Sequence, residues 1–181
     1  FEGWTSFDGP PSIQGEEDGN YATQPLLELV KKANKQKPSA IIIGCFDDTG
    51  LEQAREISLC PVLGIGESSF LLSYLFSGET AVITTVHEAV PIIKKNIKNA
   101  GYSTLISEVI AADVEVLDLE FSPAQSAVKF AQASKALNGS TQNIILGCAG
   151  AVKIKDEFET ITGYKSFDGV TSAAKLCRAL L

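Results

Sequence analysis

Short runs that are apolar throughout alternate along the chain with longer stretches whose apolar residues recur every three or four positions. AIIIG (40–44), PVLGIG (61–66), TAVITTV (80–86) and NIILG (143–147) are of the first kind. Continuous runs rich in Ile and Val mark strands buried on both faces, as in a parallel sheet. Of the second kind are LLELVKKANKQK, which Pro25 is expected to open, and residues 49–57, 67–77, 87–101, 122–139, 151–160 and 169–181. These predict helices, several with Pro at the start and Gly at the end. Segments 102–106 and 114–119 read as further strands, and the Gly-, Pro- and Asp-rich residues 1–20 as a loop. Strand and helix in alternation predict an α/β fold with mostly parallel sheets flanked by helices. A second strand–helix series begins after Gly78, which predicts a lobe boundary there.

Within that alternation one block occurs twice. AIIIGC at 40–45 reappears as NIILGC at 143–148. Each copy is a buried strand, then Gly, then Cys, then a turn into a helix. In open α/β sheets the chemistry sits at the carboxyl ends of strands, and both thiols occupy that place. Two similar lobes facing each other would set Cys45 and Cys148 on opposite walls of one cleft. A Cys after an apolar strand is most often a small buried residue without chemistry. Its recurrence in matched blocks is what raises Cys45 and Cys148 to candidate catalytic residues.

Two opposed thiols suit the inversion of a C–H stereocentre, which needs a base on one face and an acid on the other. A free Cys has a pKa of about 8.5, so the base needs help to ionise. Backbone N–H groups of the Gly-containing turns at Gly44, Gly147 and Gly150 could give it, while Asp47 and Asp48 would work against it at Cys45. The candidate substrate contacts are Phe46, Asp47, Gly66, Thr84, Thr85, Gly147, Ala149 and Gly150. Phe46 either covers a planar ring or packs, and Gly66 belongs to a GxGE turn set first by backbone geometry. His87 reads as a surface residue, and Cys60 and Cys177 as structural.

Composition narrows the classes. The 181 residues carry a formal net charge of −7, with 45% hydrophobic and 20% charged residues. An acidic chain without a Lys/Arg stripe is not built for nucleic acid or an anionic membrane surface, and no apolar run is long enough to span a bilayer. Four Cys and one His, with no CxxC, predict neither a disulfide scaffold nor a metal site, and favour a reducing, cytoplasmic setting. The partner expected is a small-molecule substrate, with a homo-oligomer compatible. The chain opens at Phe1 and contains no Met, so a preceding segment is expected.

AIIIGCFDDTGLEQARE (40–56), PVLGIGESS (61–69), AVITTVHEAVPIIKKNI (81–97), VLDL (116–119), IILGCAG (144–150) and the loop GPPSIQG (9–15) resemble the hydantoin and allantoin racemases. They also resemble fungal nitrogen-regulated relatives in the aspartate/glutamate/hydantoin racemase superfamily. The resemblance spans nearly the whole chain. It implies two pseudo-twofold-related lobes with the active site in the cleft between them. The first is residues 1–78 plus 163–181, with an N-terminal strand and an Asn-Pro-Asn-type loop expected before Phe1; the second is residues 79–162. It implies an isomerase of nitrogen metabolism that uses no cofactor and racemises a cyclic ureide through Cys45 and Cys148, with Thr84 and Thr85 near the cleft. The alternatives are an aspartate/glutamate-type racemase and a non-catalytic ligand-binding relative. The first is disfavoured because Phe46-Asp47 and Ala149-Gly150 replace the Asn-Thr and Thr donors that hold an amino-acid carboxylate.

Overall fold

The apolar runs pair with one another side by side. In the computed structural model, which describes residues 1–180, β1 (Ile41–Ile43) and β2 (Val62–Gly64) form a two-stranded parallel sheet. The strands β3 (Glu79–Thr84), β4 (Ile106–Ala111), β5 (Thr141–Gly147) and β6 (Lys165–Asp168) form a second parallel sheet in the order β4-β3-β5-β6. The helices are α1 (Glu16–Asn34), α2 (Leu51–Ile57), α3 (Ile65–Ser73), α4 (Ala89–Asn99), α5 (Asp118–Phe121), α6 (Pro123–Ala133), α7 (Lys155–Thr162) and α8 (Gly169–Leu180). The fold is α/β, with parallel sheets flanked by helices.

The larger sheet is buried on both faces, and its side chains alternate between them with the strand period of two. Ile83, Ile144 and Leu146 pack under Phe130 of α6 and Phe158 of α7. Val82 and Ile145 face the other way, toward Phe70 of α3 and Ile93 and Ile97 of α4. The smaller sheet has its own cluster, in which Ile43 and Val62 meet Val30 of α1 and Leu51 and Ala54 of α2.

Three expectations change. Pro25 lies inside α1 rather than opening it. The helix starts at Glu16, where Glu16, Glu17 and Asp18 complement its positive end and Asp18 Oδ2 accepts the Gln14 N–H at 2.9 Å. Residues 114–119 are a turn leading into the single-turn α5; Val114 and Leu119 are buried in the core, so the apolar density of a strand arises there without one. Residues 165–168 join the larger sheet as β6, beside β5. From β6 the chain runs on into α8, which packs on α3.

From β3 the chain proceeds to β4 on one side, and from β5 to β6 on the other. All four strands point the same way, but the order in which the chain lays them down reverses between β3 and β5, where Thr84 stands opposite Gly147. The carboxyl ends at such a switch point open a crevice where α/β proteins bind ligands.

Candidate active site

Cys148 is the residue after β5, at that switch point. The strand leading to it fits tightly. A Cβ on Gly147 would lie 3.1 Å from Val82 Cγ1 and 3.2 Å from Thr84 Cβ, so a larger residue there would press on β3 and its neighbours would have to give way. Thr84 is buried and its hydroxyl donates to the Gly147 carbonyl at 2.8 Å, a bond that holds the end of the strand. Thr85, also buried, accepts the Val114 N–H on its carbonyl. Past Cys148 the chain turns at once into a 3-10 segment, Ala149–Lys153. Burial pushes the Cys148 thiol up to about 11, and the charge of Asp47 adds to this, while hydrogen bonds from the backbone of Gly150 and Ala149 hold it down.

Cys45 follows β1 after Gly44 and is half-buried. The Thr49 hydroxyl lies 3.4 Å from its sulfur, and backbone hydrogen bonds from Asp47 and Thr49 also reach it. Burial nevertheless pushes this thiol up to about 12, again with the Asp47 charge adding to the rise. Both sulfurs therefore have the N–H donors that could stabilise a thiolate, yet burial outweighs them and each rests as a neutral thiol.

The residues after Cys45 separate in role. Phe46 is buried, 4% exposed, and meets Phe70 edge-on with ring centroids 6.0 Å apart; it packs and anchors the loop. Asp48 adopts a left-handed backbone with φ 49°, and its carboxylate turns to the start of α3. There Oδ1 accepts the Gly66 N–H at 2.9 Å and Oδ2 the Glu67 N–H at 2.7 Å, satisfying two amides that the helix start leaves open. A Cβ on Gly66 would fall 2.4 Å from the Phe46 carbonyl oxygen, so Gly66 admits the loop. Burial pushes Asp48 up to about 7 despite these two bonds and nearby Arg55.

Asp47 is different. Its backbone carbonyl accepts Asn96 Nδ2 of α4 at 2.7 Å, which fastens the Cys45 loop to α4. Its carboxylate is raised to about 6 by burial alone, with no hydrogen bond opposing the shift. Its charge acts on Cys45 and on Cys148. One carboxylate that influences both thiols ties the ends of β1 and β5 to a common electrostatic environment.

A cavity of about 890 Å³ lies beside β1, with Val30 of α1, Ile42, Cys45, Thr49 and Cys177 of α8 among its walls. Cys148 is not among its walls. All four cysteines are free thiols. His87 is exposed and pairs with Asp113 at 2.9 Å. Among the described residues no group of three or more His, Cys, Asp or Glu is arranged to hold a metal ion, and no helix is long and apolar enough to cross a membrane.

Thr49 and Asn96, which touch the Cys45 loop, escaped the sequence reading, as did the helix-capping Asp168. Thr49 stands four positions after Cys45, and the tight turn between them brings its hydroxyl back to the sulfur. Asp168 ends β6, is buried, and accepts the Thr171 N–H at 2.7 Å at the start of α8; its Oδ2 has no partner among the described residues. An Asp before a Gly-led helix is a capping signal. Asn96 carries no comparable mark.

Comparison with known proteins places this geometry in context. The family described as Asp/Glu/Hydantoin racemase matches residues 1–177. A hydantoin racemase from Rhizobium meliloti is 36% identical over 177 residues, covering 96% of this chain and 73% of that protein. Among solved structures, an allantoin racemase from Pseudomonas fluorescens superposes with a TM-score of 0.91 at 28% identity, covering 99% of this chain and 77% of the other. An allantoin racemase from Klebsiella pneumoniae superposes with a TM-score of 0.87 at 27% identity, covering 95% and 71%.

Proposed function

Because the chain belongs to the Asp/Glu/hydantoin racemase family, we propose that it racemises a cyclic ureide, a 5-substituted hydantoin or allantoin, with Cys45 and Cys148 as opposed bases and without a cofactor. The observation that carries the reading is the pair of thiols at the carboxyl ends of β1 and β5, each ringed by backbone donors and both under the charge of Asp47. The similarity to the hydantoin and allantoin racemases directs the choice of substrate.

In such a ureide the hydrogen at the stereocentre is acidified by the adjacent carbonyl. One cysteine, as thiolate, takes that proton, and the electron pair moves onto the carbonyl oxygen as an enolate. The other cysteine, as thiol, gives its proton to the opposite face of the carbon. The product leaves with the two protonation states exchanged, and the reverse reaction starts from that state. Both thiols rest neutral, so one must ionise first; the N–H groups of Asp47, Thr49, Ala149 and Gly150 supply the stabilisation for that step. Around the reacting carbon, Asp47, Thr85, Ala149 and Gly150 are the substrate contacts in this reading, with Phe46, Gly66, Thr84 and Gly147 holding them in place.

The test is deuterium uptake from D2O into resolved allantoin and 5-alkylhydantoins, followed by proton NMR and chiral separation. Exchange accompanied by inversion is the expected result. Wild-type protein that neither exchanges nor inverts any of these compounds would overturn the reading.

A further inference from the structure

Asp47 is a half-buried carboxylate two positions after Cys45, without a partner among the described residues, and its charge acts on both thiols. Its own N–H is turned to the Cys45 sulfur, and the one side chain that bonds the residue, Asn96, reaches its carbonyl rather than its carboxylate. No Lys or Arg pairs with it among the described residues. The neighbouring carboxylate, Asp48, is by contrast saturated by two amides of α3. An anion left in this state is poorly solvated and wants N–H donors.

We propose that Asp47 is the specificity-determining residue of this site: its carboxylate accepts a hydrogen bond from an N–H of a ureide and turns away molecules that carry a carboxylate on the reacting carbon. The inference rests on the ureide reading and sharpens it. Ureides are neutral and rich in N–H groups, so they supply what the carboxylate lacks. A ring-opened carbamoyl amino acid, whose nitrogen is acylated and uncharged, brings an uncompensated second negative charge beside a half-buried one, where like charges repel strongly. Specificity of this kind comes as much from the repulsion as from the attraction.

The test compares two isosteres, N-carbamoyl-leucinamide and N-carbamoyl-leucine, which share the ureido group and differ only in an amide or a carboxylate on the reacting carbon. Their binding is measured by calorimetry to the wild-type protein and to Asp47→Asn, which keeps the shape and removes the charge. The wild-type protein should bind the amide at least about 10-fold more tightly, the size of one charge-assisted contact. Asp47→Asn should shrink that preference by about the same factor, binding the carboxylate better and the amide worse. For a 5-alkylhydantoin substrate, KM should rise in Asp47→Asn more than kcat changes. Asp47→Glu keeps the charge and should keep the preference for the amide, which guards against a variant that merely folds poorly.

An unchanged preference in Asp47→Asn, equal weakening of both ligands, or no binding of either ligand to the wild-type protein would overturn the proposal. The racemase reading fails by a different sign. In that case the wild-type protein would show the charge preference in binding and still leave the hydantoin proton unexchanged in D2O.

Discussion

Cys148 follows a strand paired on both sides, by β3 and by β6, and Cys45 follows one paired, among the described residues, with β2. The glycines before them show the same difference. Gly147 is hemmed in by Val82, Thr84 and the Ile83 carbonyl at 3.1–3.3 Å, whereas a Cβ on Gly44 would meet nothing within 4 Å. The Cys148 seat is made by packing. The Cys45 seat is made by polar ties: Asp48 on α3, Asn96 on the Asp47 carbonyl, and Thr49 on the sulfur. A repeated sequence block therefore does not imply a repeated support. Changes near Cys148 should register as stability, and changes near Cys45 as electrostatics and loop position.

The largest effect expected is at the thiols. Cys45→Ser and Cys148→Ser should each cut racemisation at least about 10²-fold, the lower range for a positioned acid or base, with the far-UV circular dichroism unchanged. Abstraction needs one base and inversion needs two. Each variant should therefore still exchange the stereocentre proton of one enantiomer for deuterium without inverting it, and the two variants should choose opposite enantiomers. Proton NMR of separate enantiomers in D2O reads this directly. If both variants exchange the same hand, the thiols do not work from opposite faces.

Next come the two glycines. Gly147→Ala overpacks the β3–β5 contact and should destabilise the protein by about 1–3 kcal/mol, a fall in Tm of roughly 2–10 °C for a chain of this size. Gly44→Ala enters open space and should stay within about 0.5 kcal/mol of wild type. Thermal unfolding of the pair would break the contrast between the two seats if both fell equally. Asp48→Ala should cost about 1 kcal/mol through loss of the α3 cap. Asp48→Asn should cost less, because Asn keeps an acceptor and tolerates the left-handed backbone.

The strands that carry the thiols were legible because parallel strands buried on both faces leave unbroken apolar runs. AIIIG and NIILG are such runs, and Cys45 and Cys148 follow them at the carboxyl ends of β1 and β5. What was not legible depends on partners far along the chain. Asp48 turns from its neighbour Asp47 because α3 offers amides eighteen and nineteen residues away. Gln14 reaches the Val116 N–H across 102 positions at 2.8 Å, and Asn96 reaches Asp47 across 49. Neither residue is distinguished by its local sequence. The strand at 165–168 went unread because KSFD is short and carries no unbroken apolar run. Pro25 misled because a proline favours a helix start without requiring one.

The smallest effect expected is at Thr49, which has no side-chain counterpart at Cys148. Its hydroxyl holds the Cys45 thiol down against burial, so Thr49→Val should let that thiol rise further above its ordinary value. A raised thiol pKa means less thiolate at a given pH. The rising limb of the pH–rate profile for the enantiomer whose proton Cys45 removes should therefore move to higher pH. At neutral pH the rate for that hand should fall roughly 2- to 10-fold, the worth of one hydrogen bond, and recover as the pH is raised. For the opposite hand Cys148 is the base and Cys45 the acid, so the limb that depends on Cys148 ionising should stay where it is. Thr49→Ser, which keeps the hydroxyl, should restore the first profile. Initial rates for each enantiomer, followed by polarimetry across the pH range, decide the matter. A shift of both limbs together would mean that Thr49 acts on the site as a whole rather than on the Cys45 sulfur.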